Sequence, residues 1–103
     1  MIPLEKVQQI VSTYETLEKE LASGDINKKD FANKSKGYSS IREVINQARS
    51  YLSFKKEKAE LEKIIEDKKS DKDMIELAKN ELIQLSKKKE ENEKILKVYL
   101  LPK

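Results

Sequence analysis

The 103-residue chain contains no cysteine, no histidine and no tryptophan. Without cysteine there is no disulfide framework and no thiolate metal site, and without histidine the commonest catalytic base and zinc ligand are both missing. Metal and triad chemistry built on those groups is excluded. Glycine occurs only at Gly24 and Gly37 and proline only at Pro3 and Pro102, so little interrupts a helix between them and neither glycine belongs to a phosphate-binding loop. Apolar runs are as scarce. The longest, Val98 to Leu101, falls far short of the roughly 20 residues that span a bilayer, and the start MIPLEKVQQ lacks the basic region and apolar run of a signal peptide. The expectation is a cytoplasmic chain with no membrane partner.

Charge is what the sequence has in abundance: 40% of residues are charged and the mean hydropathy is −0.78. The 37% apolar content is low for a globular core but ordinary for long helices solvated on one side, so one elongated domain over 1–103 is expected. The net charge of +3 is too small to demand a nucleic-acid partner, and its distribution says more. Residues 1–26 are acidic, residues 59–103 are balanced, and residues 27–58 carry nine basic residues against Asp30, Glu43 and Glu57. From this middle segment Lys28, Lys29, Lys34, Lys36, Arg42, Arg49, Lys55 and Lys56 form a candidate set for touching phosphates without reading base sequence. Lysine outnumbers arginine twenty to two, and a merely solvated basic face has the same composition.

The periodicity predicts an all-α, elongated antiparallel bundle: a coiled-coil-like hairpin of three long helices. The first begins near Pro3, carries Val7, Ile10, Tyr14, Leu17 and Leu21 at steps of 3 and 4, and stops at Ser23-Gly24. Asn27-Lys-Lys-Asp30 resembles a capping box and opens the second. Gly37, followed by a second capping-box pattern at Ser40-Ile-Arg-Glu43, predicts a break or kink near 37–40, then helix to about Lys69. Ser70-Asp-Lys-Asp73 starts the last helix, which runs to the late nineties. With a turn near residue 24, antiparallel positions summing to about 49 pair Leu17 with Phe31, Val11 with Tyr38, Val7 with Ile41 and Leu4 with Ile45. A heptad stripe of Val44, Gln47, Tyr51, Phe54, Lys58, Leu61 and Ile65 then faces Ile95, Asn92, Lys88, Leu85, Glu81, Ala78 and Met74, with polar pairs marking register.

Acidic residues such as Asp71 and Asp73, or Glu90, Glu91 and Glu93, sit among lysines at helical spacing, where carboxylates cap helices or form weak i,i+4 pairs. No catalytic, cofactor or metal site is expected, and the serines have no histidine to activate them. Tyr14, Phe31, Tyr38, Tyr51 and Phe54 all fall on the stripes expected to be buried, so core packing is favoured over base stacking.

The ending Val98-Tyr-Leu-Leu-Pro-Lys103, after a helix beginning SDKDMIELAKNELIQL, resembles the close of the amino-terminal domain of bacterial class I peptide chain release factors. The resemblance extends through Met74, Ala78 and Glu81-Leu82, Phe31 and the Tyr38-to-Val44 region to the first helix, and so covers essentially the whole chain. It implies a fragment whose parent directs termination at UAA and UAG codons and triggers hydrolysis of peptidyl-tRNA. The family's Gly-Gly-Gln tripeptide and Pro-X-Thr codon-reading motif are absent, so no catalytic residue carries over. The resemblance further implies docking at the stalk base of the large ribosomal subunit, against ribosomal RNA and protein, an influence of release factor 3, and contacts with the remaining domains of the same protein. On that view the apolar tail is part helix end, packed near Leu4 and Val7, and part crossover, with Leu100 and Leu101 poorly ordered or covered only by a neighbour. Two alternatives use the same stripes: an independent coiled-coil adaptor and an RNA-gripping helical arm.

Overall fold

A computed structural model describes residues 2–102 and consists of α1 (Leu4–Ala22), α2 (Lys28–Arg42), α3 (Ile45–Glu66) and α4 (Lys72–Leu100), with no strand among the described residues. Each boundary has a local cause. Pro3 sits at the N-cap of α1, where its missing N–H costs nothing. Gly24 adopts φ 72°, the left-handed conformation that stops a helix. Asn27 caps α2 by accepting the Asp30 N–H at 2.9 Å, while its own side-chain amide donates to the Asp30 carboxylate. Asp71 caps α4 by accepting the Met74 N–H at 2.8 Å, so the cap lies one residue after the expected Ser70. α3 ends at Glu66 rather than Lys69, and the turn to α4 is held by the Asp67 carboxylate accepting the Lys69 N–H.

The middle helix is broken, but at residues 43–44 and not at 37–40. Val44 leaves the helical region at φ −122°, ψ 1°, its N–H donating to the Ile41 carbonyl and its carbonyl accepting from Ala48. The break turns Ile41, Val44 and Ile45 together into the core, where all three are buried. Gly37 lies inside α2, and Ser40 is a helix-interior residue rather than a cap. A β-carbon at Gly37 would meet only the Leu17 Cδ1 at 3.7 Å, an ordinary contact, whereas one at Gly24 would be strained by the positive φ. Gly37→Ala should therefore stabilise the chain by about 0.5–1 kcal/mol and Gly24→Ala destabilise it by about 1 kcal/mol; urea titration of the two variants checks both signs.

α1 runs antiparallel to α2 and the start of α3 in one register. Ile2 lies against Tyr51, whose hydroxyl donates to the Ile2 carbonyl at 3.3 Å; Tyr14 stacks on Tyr38 with ring centroids 4.7 Å apart; Leu17 covers Gly37. These pairs sum to 52–54, about one helical turn beyond the expected 49. The shift explains two exposed apolar residues expected to be paired. Phe31 is placed opposite the point where α1 ends, and Leu4 falls opposite Arg49 and Ser50. Tyr14 and Tyr51 are buried, and Tyr38 and Phe54 are half-buried.

α3 and α4 form the second antiparallel pair. Tyr51 reaches Glu93, and the Lys89 ammonium lies 4.8 Å from the Phe54 ring centroid, so positions sum to about 143–144 instead of 139. On α4 the covered stripe is Ile75, Ala78, Leu82, Leu85, Lys89, Asn92, Leu96 and Tyr99, an unbroken 3,4 repeat. Ala78, Leu85 and Asn92 are as expected. Met74, Glu81, Lys88 and Ile95 lie at the surface, and their neighbours one residue on, Ile75, Leu82, Lys89 and Leu96, take the seam. The pairings of Lys58 with Glu81 and of Gln47 with Asn92 give way to this register, and Lys58 and Glu81 are exposed.

At the chain's end Tyr99 and Leu100 pack against the core beside Ile10 and Ile41, while Leu101 is exposed after the helix. Leu100 is thus covered from within the chain, contrary to expectation. The core lies where α1 meets the α2–α3 break and the end of α4, leaving the far half of the α3–α4 hairpin to project. A radius of gyration of 18.3 Å and extents of 59 × 30 × 19 Å, against about 13 Å for a compact chain of this length, reflect that projection.

Tyr38 also titrates unusually. The Tyr14 and Tyr38 hydroxyls share a hydrogen bond at 2.9 Å, and Tyr38 donates to the Glu18 carboxylate at 3.1 Å. The hydrogen bond with Tyr14, loss of water around the ring and the Glu18 carboxylate together push the Tyr38 hydroxyl up to about 12 from 10.0. Because the folded value lies above the unfolded one, this contribution is whole below pH 10 and is lost as pH rises through 12. Melting temperature should fall across that window, and Tyr38→Phe should flatten the fall; an unchanged pH slope in Tyr38→Phe would contradict the assignment.

Candidate functional site

The eight basic residues singled out in the middle segment do not form one surface. Lys28, Lys29 and Lys36 are exposed; Lys36 follows the adjacent Lys28 and Lys29 by eight and seven residues, about two helical turns, which places it on their side of α2 about 10–12 Å along the axis. That face is opposite the one formed by Lys34, Gly37, Tyr38 and Ile41, which meets α1. Lys28 and Lys29 also stand in the first turn of α2, in front of the Asn27 cap. Among the described residues no carboxylate pairs with these three ammonium groups. They are point charges held on a regular scaffold, suited to contact a phosphate backbone without reading bases.

Lys34 belongs elsewhere. Its ammonium pairs with the Glu20 carboxylate across the α1–α2 contact, where it locks register rather than facing a partner. Arg49 is similarly engaged, with its guanidinium carbon 5.4 Å from the centroid of the Tyr14 ring, a cation–π contact that closes one edge of the tyrosine pair. Arg42, in the last turn of α2, and Lys55 and Lys56 on α3 are exposed. Lys56 lies two turns from Arg49 on the same face of α3. The structure therefore divides the candidate set into an outward group on α2, a smaller group on α3 and two residues engaged with side chains of α1. Helical spacing within α2 carries a signal that could have separated the first group, which the sequence expectation left in one set of eight; the commitments of Lys34 and Arg49 depend on α1 and had no signal in the sequence.

A second surface feature escaped the sequence reading. A groove of about 500 Å³ runs along the projecting hairpin, floored by Leu61, Ile64 and Leu85 and walled by Glu57, Glu60, Glu81, Gln84 and Lys88. Ile64 and Glu81 also line a smaller depression that includes Met74 and Leu77, so the two are continuous. The signal was present in Met74 and Leu77, apolar residues off the covered stripe, but the seam assignment that buried Met74 hid it.

Comparison with known proteins adds the following. Residues 10–103 match the PCRF domain family. The chain is similar to peptide chain release factor 1 of Pelagibacter ubique, with 50% identity over 103 residues, which is 100% of this chain and 29% of that protein. It is 33% identical to peptide chain release factor 1 of Bartonella tribocorum over 99% of this chain and 28% of that protein. With its counterpart from Streptococcus gordonii it shares 34% identity over 96% of this chain and 28% of that protein. The chain thus spans less than a third of the length of these relatives. No solved structure matches it significantly.

Proposed function

Because the chain belongs to the PCRF domain family, we propose that it is the amino-terminal helical domain of a peptide chain release factor, acting in translation termination as a ribosome-docking element without hydrolytic activity of its own. The observation that carries this reading is continuity: similarity to named release factors runs over the whole chain, and the family match leaves out only its first nine residues. Stop-codon reading at UAA and UAG and ester hydrolysis fall, on this reading, to residues outside this sequence, which has neither Gly-Gly-Gln nor Pro-X-Thr. The domain's partners are the stalk base of the large subunit, its RNA and protein, the rest of the same factor and release factor 3, in the cytoplasm.

The shape and charge favour this division. The outward lysine face of α2 can approach RNA phosphates, and displacement of counterions from them makes such binding weaken as salt rises. A domain acting alone lacks the effective concentration that tethered contacts supply, so its affinity is far below that of an intact factor. Added in excess to ribosomes halted at a stop codon, the chain should release no peptide and should slow release by an intact factor at low salt but not at high salt. Peptide release by the chain alone would overturn the division of labour, and absence of competition at any salt concentration would remove the docking role.

A further inference from the structure

We propose that the groove on the projecting half of the α3–α4 hairpin is a docking site for a lysine- or arginine-rich amphipathic segment of a protein partner. The place is unaccompanied within the fold. α1 runs out where Ile2 meets Tyr51, α2 lies behind the break at 43–44, and past that point α3 packs on α4 alone. Two helices are too few to cover their own apolar residues. Leu61, Ile64 and Leu85 remain half-buried along the floor, and Leu77 is 60% exposed at its end. Three carboxylates, Glu57, Glu60 and Glu81, stand over this floor against one ammonium, Lys88, although the chain as a whole is positive. None of the three is in an ion pair among the described residues.

An occupant that satisfies such a surface offers apolar side chains on one face and cations beside them. That is the pattern by which an amphipathic helix seats in a groove. Nucleic acid does not fit, since its phosphates would meet the carboxylates and its stacking faces would find no aromatic residue among those lining the groove. A membrane surface does not fit either, because anionic headgroups favour a basic rim. The inference goes beyond the docking reading and stands apart from the basic face of α2: one surface suits polyanion, the other polycation. Complementary charge contributes mainly to the rate and specificity of encounter, and the apolar floor supplies residence.

The test uses the 103-residue chain with methyl-labelled isoleucine, leucine and methionine and three probes: a synthetic amphipathic Leu/Lys peptide, its Leu/Glu counterpart and a short single-stranded RNA. The Leu/Lys peptide should shift the methyl resonances of Leu61, Ile64, Leu77 and Leu85 and leave those of Ile10 and Ile41 unmoved. The variant Glu57→Lys/Glu60→Lys/Glu81→Lys, changed only at exposed positions, should bind it at least about tenfold more weakly, and the charge-neutral change Leu77→Asn should weaken it with all three carboxylates in place. Equal binding of the Leu/Glu peptide, unaltered affinity in the triple variant, or shifts at the groove induced by RNA would each overturn the proposal. No ribosome is present in this experiment, so its failure would leave the docking reading standing, and failure of competition on ribosomes would leave the groove's preference intact.

Discussion

Replacing Leu96 with alanine should cost about 2–5 kcal/mol of folding free energy. Leu96 is fully buried, with 0% of its surface exposed, at the point where α4 returns to the core and meets residues from α1, the α2–α3 break and the start of α3. Truncating its side chain by an isopropyl group withdraws apolar area from the one layer shared by all these elements and leaves a cavity that helical backbones close only in part. A chain of 103 residues has about 5–15 kcal/mol of total stability, so the loss is a large fraction of the whole and should lower the melting temperature by about 10 °C or more. Leu77→Ala on the same helix removes the same atoms from a side chain that is 60% exposed and should change stability by less than about 0.5 kcal/mol. Thermal and urea unfolding followed by circular dichroism compares the two; equal effects would show that the covered stripe of α4 is not the one containing Leu96. Phe54→Ala, which the expected pairing of Phe54 with Leu85 would make severe, should fall between them, because the ring is half-buried under the Lys89 side chain.

Reversing the outward lysines of α2 should have the largest effect on ribosome docking. The triple change Lys28→Glu/Lys29→Glu/Lys36→Glu removes three candidate phosphate contacts and adds three negative charges on an exposed face. Each phosphate neutralised contributes about 0.7–0.9 to the slope of log affinity against log salt, so loss of three should flatten that slope by about 2 or more. At low salt the competition with an intact factor should fall by at least about tenfold, with helical content unchanged. Lys34→Glu is the informative contrast: it places a carboxylate beside Glu20 in the α1–α2 contact, and should lower stability while leaving the salt slope of binding in place. A triple variant that competes as well as the unaltered chain would take the α2 face out of the docking surface.

Much of the helical architecture could be read from the residues. Scarcity of glycine and proline allowed long helices, Asn27 and Gly24 marked boundaries through local chemistry, and the 3,4 spacing of Val7, Ile10 and Tyr14 assigned the buried face of α1, where all three are buried. The candidate basic face was legible only in part. Composition located the charge in residues 27–58 but left Lys34 in one set with Lys28, Lys29 and Lys36, because a lysine that binds a partner and a lysine that pairs within the fold look alike until the facing helix is in place.

The positions of the helices and the inward face of α1 are therefore properties of the sequence by itself, since capping and the 3.6-residue period act within a few residues of one another along the chain. Axial register is not, because sliding one helix past another by a turn returns nearly the same face to its partner and so leaves the periodic pattern satisfied. Both hairpins are displaced by about a turn from the register their turns suggested. In the first, the choice is made where Tyr14 stacks on Tyr38 and Leu17 lies over Gly37. Neither contact exists until α1 and α2 are side by side, and the exposure of Phe31, the pairing of Lys34 and the uncovered groove of the hairpin all follow from arrangements that only the tertiary structure decides.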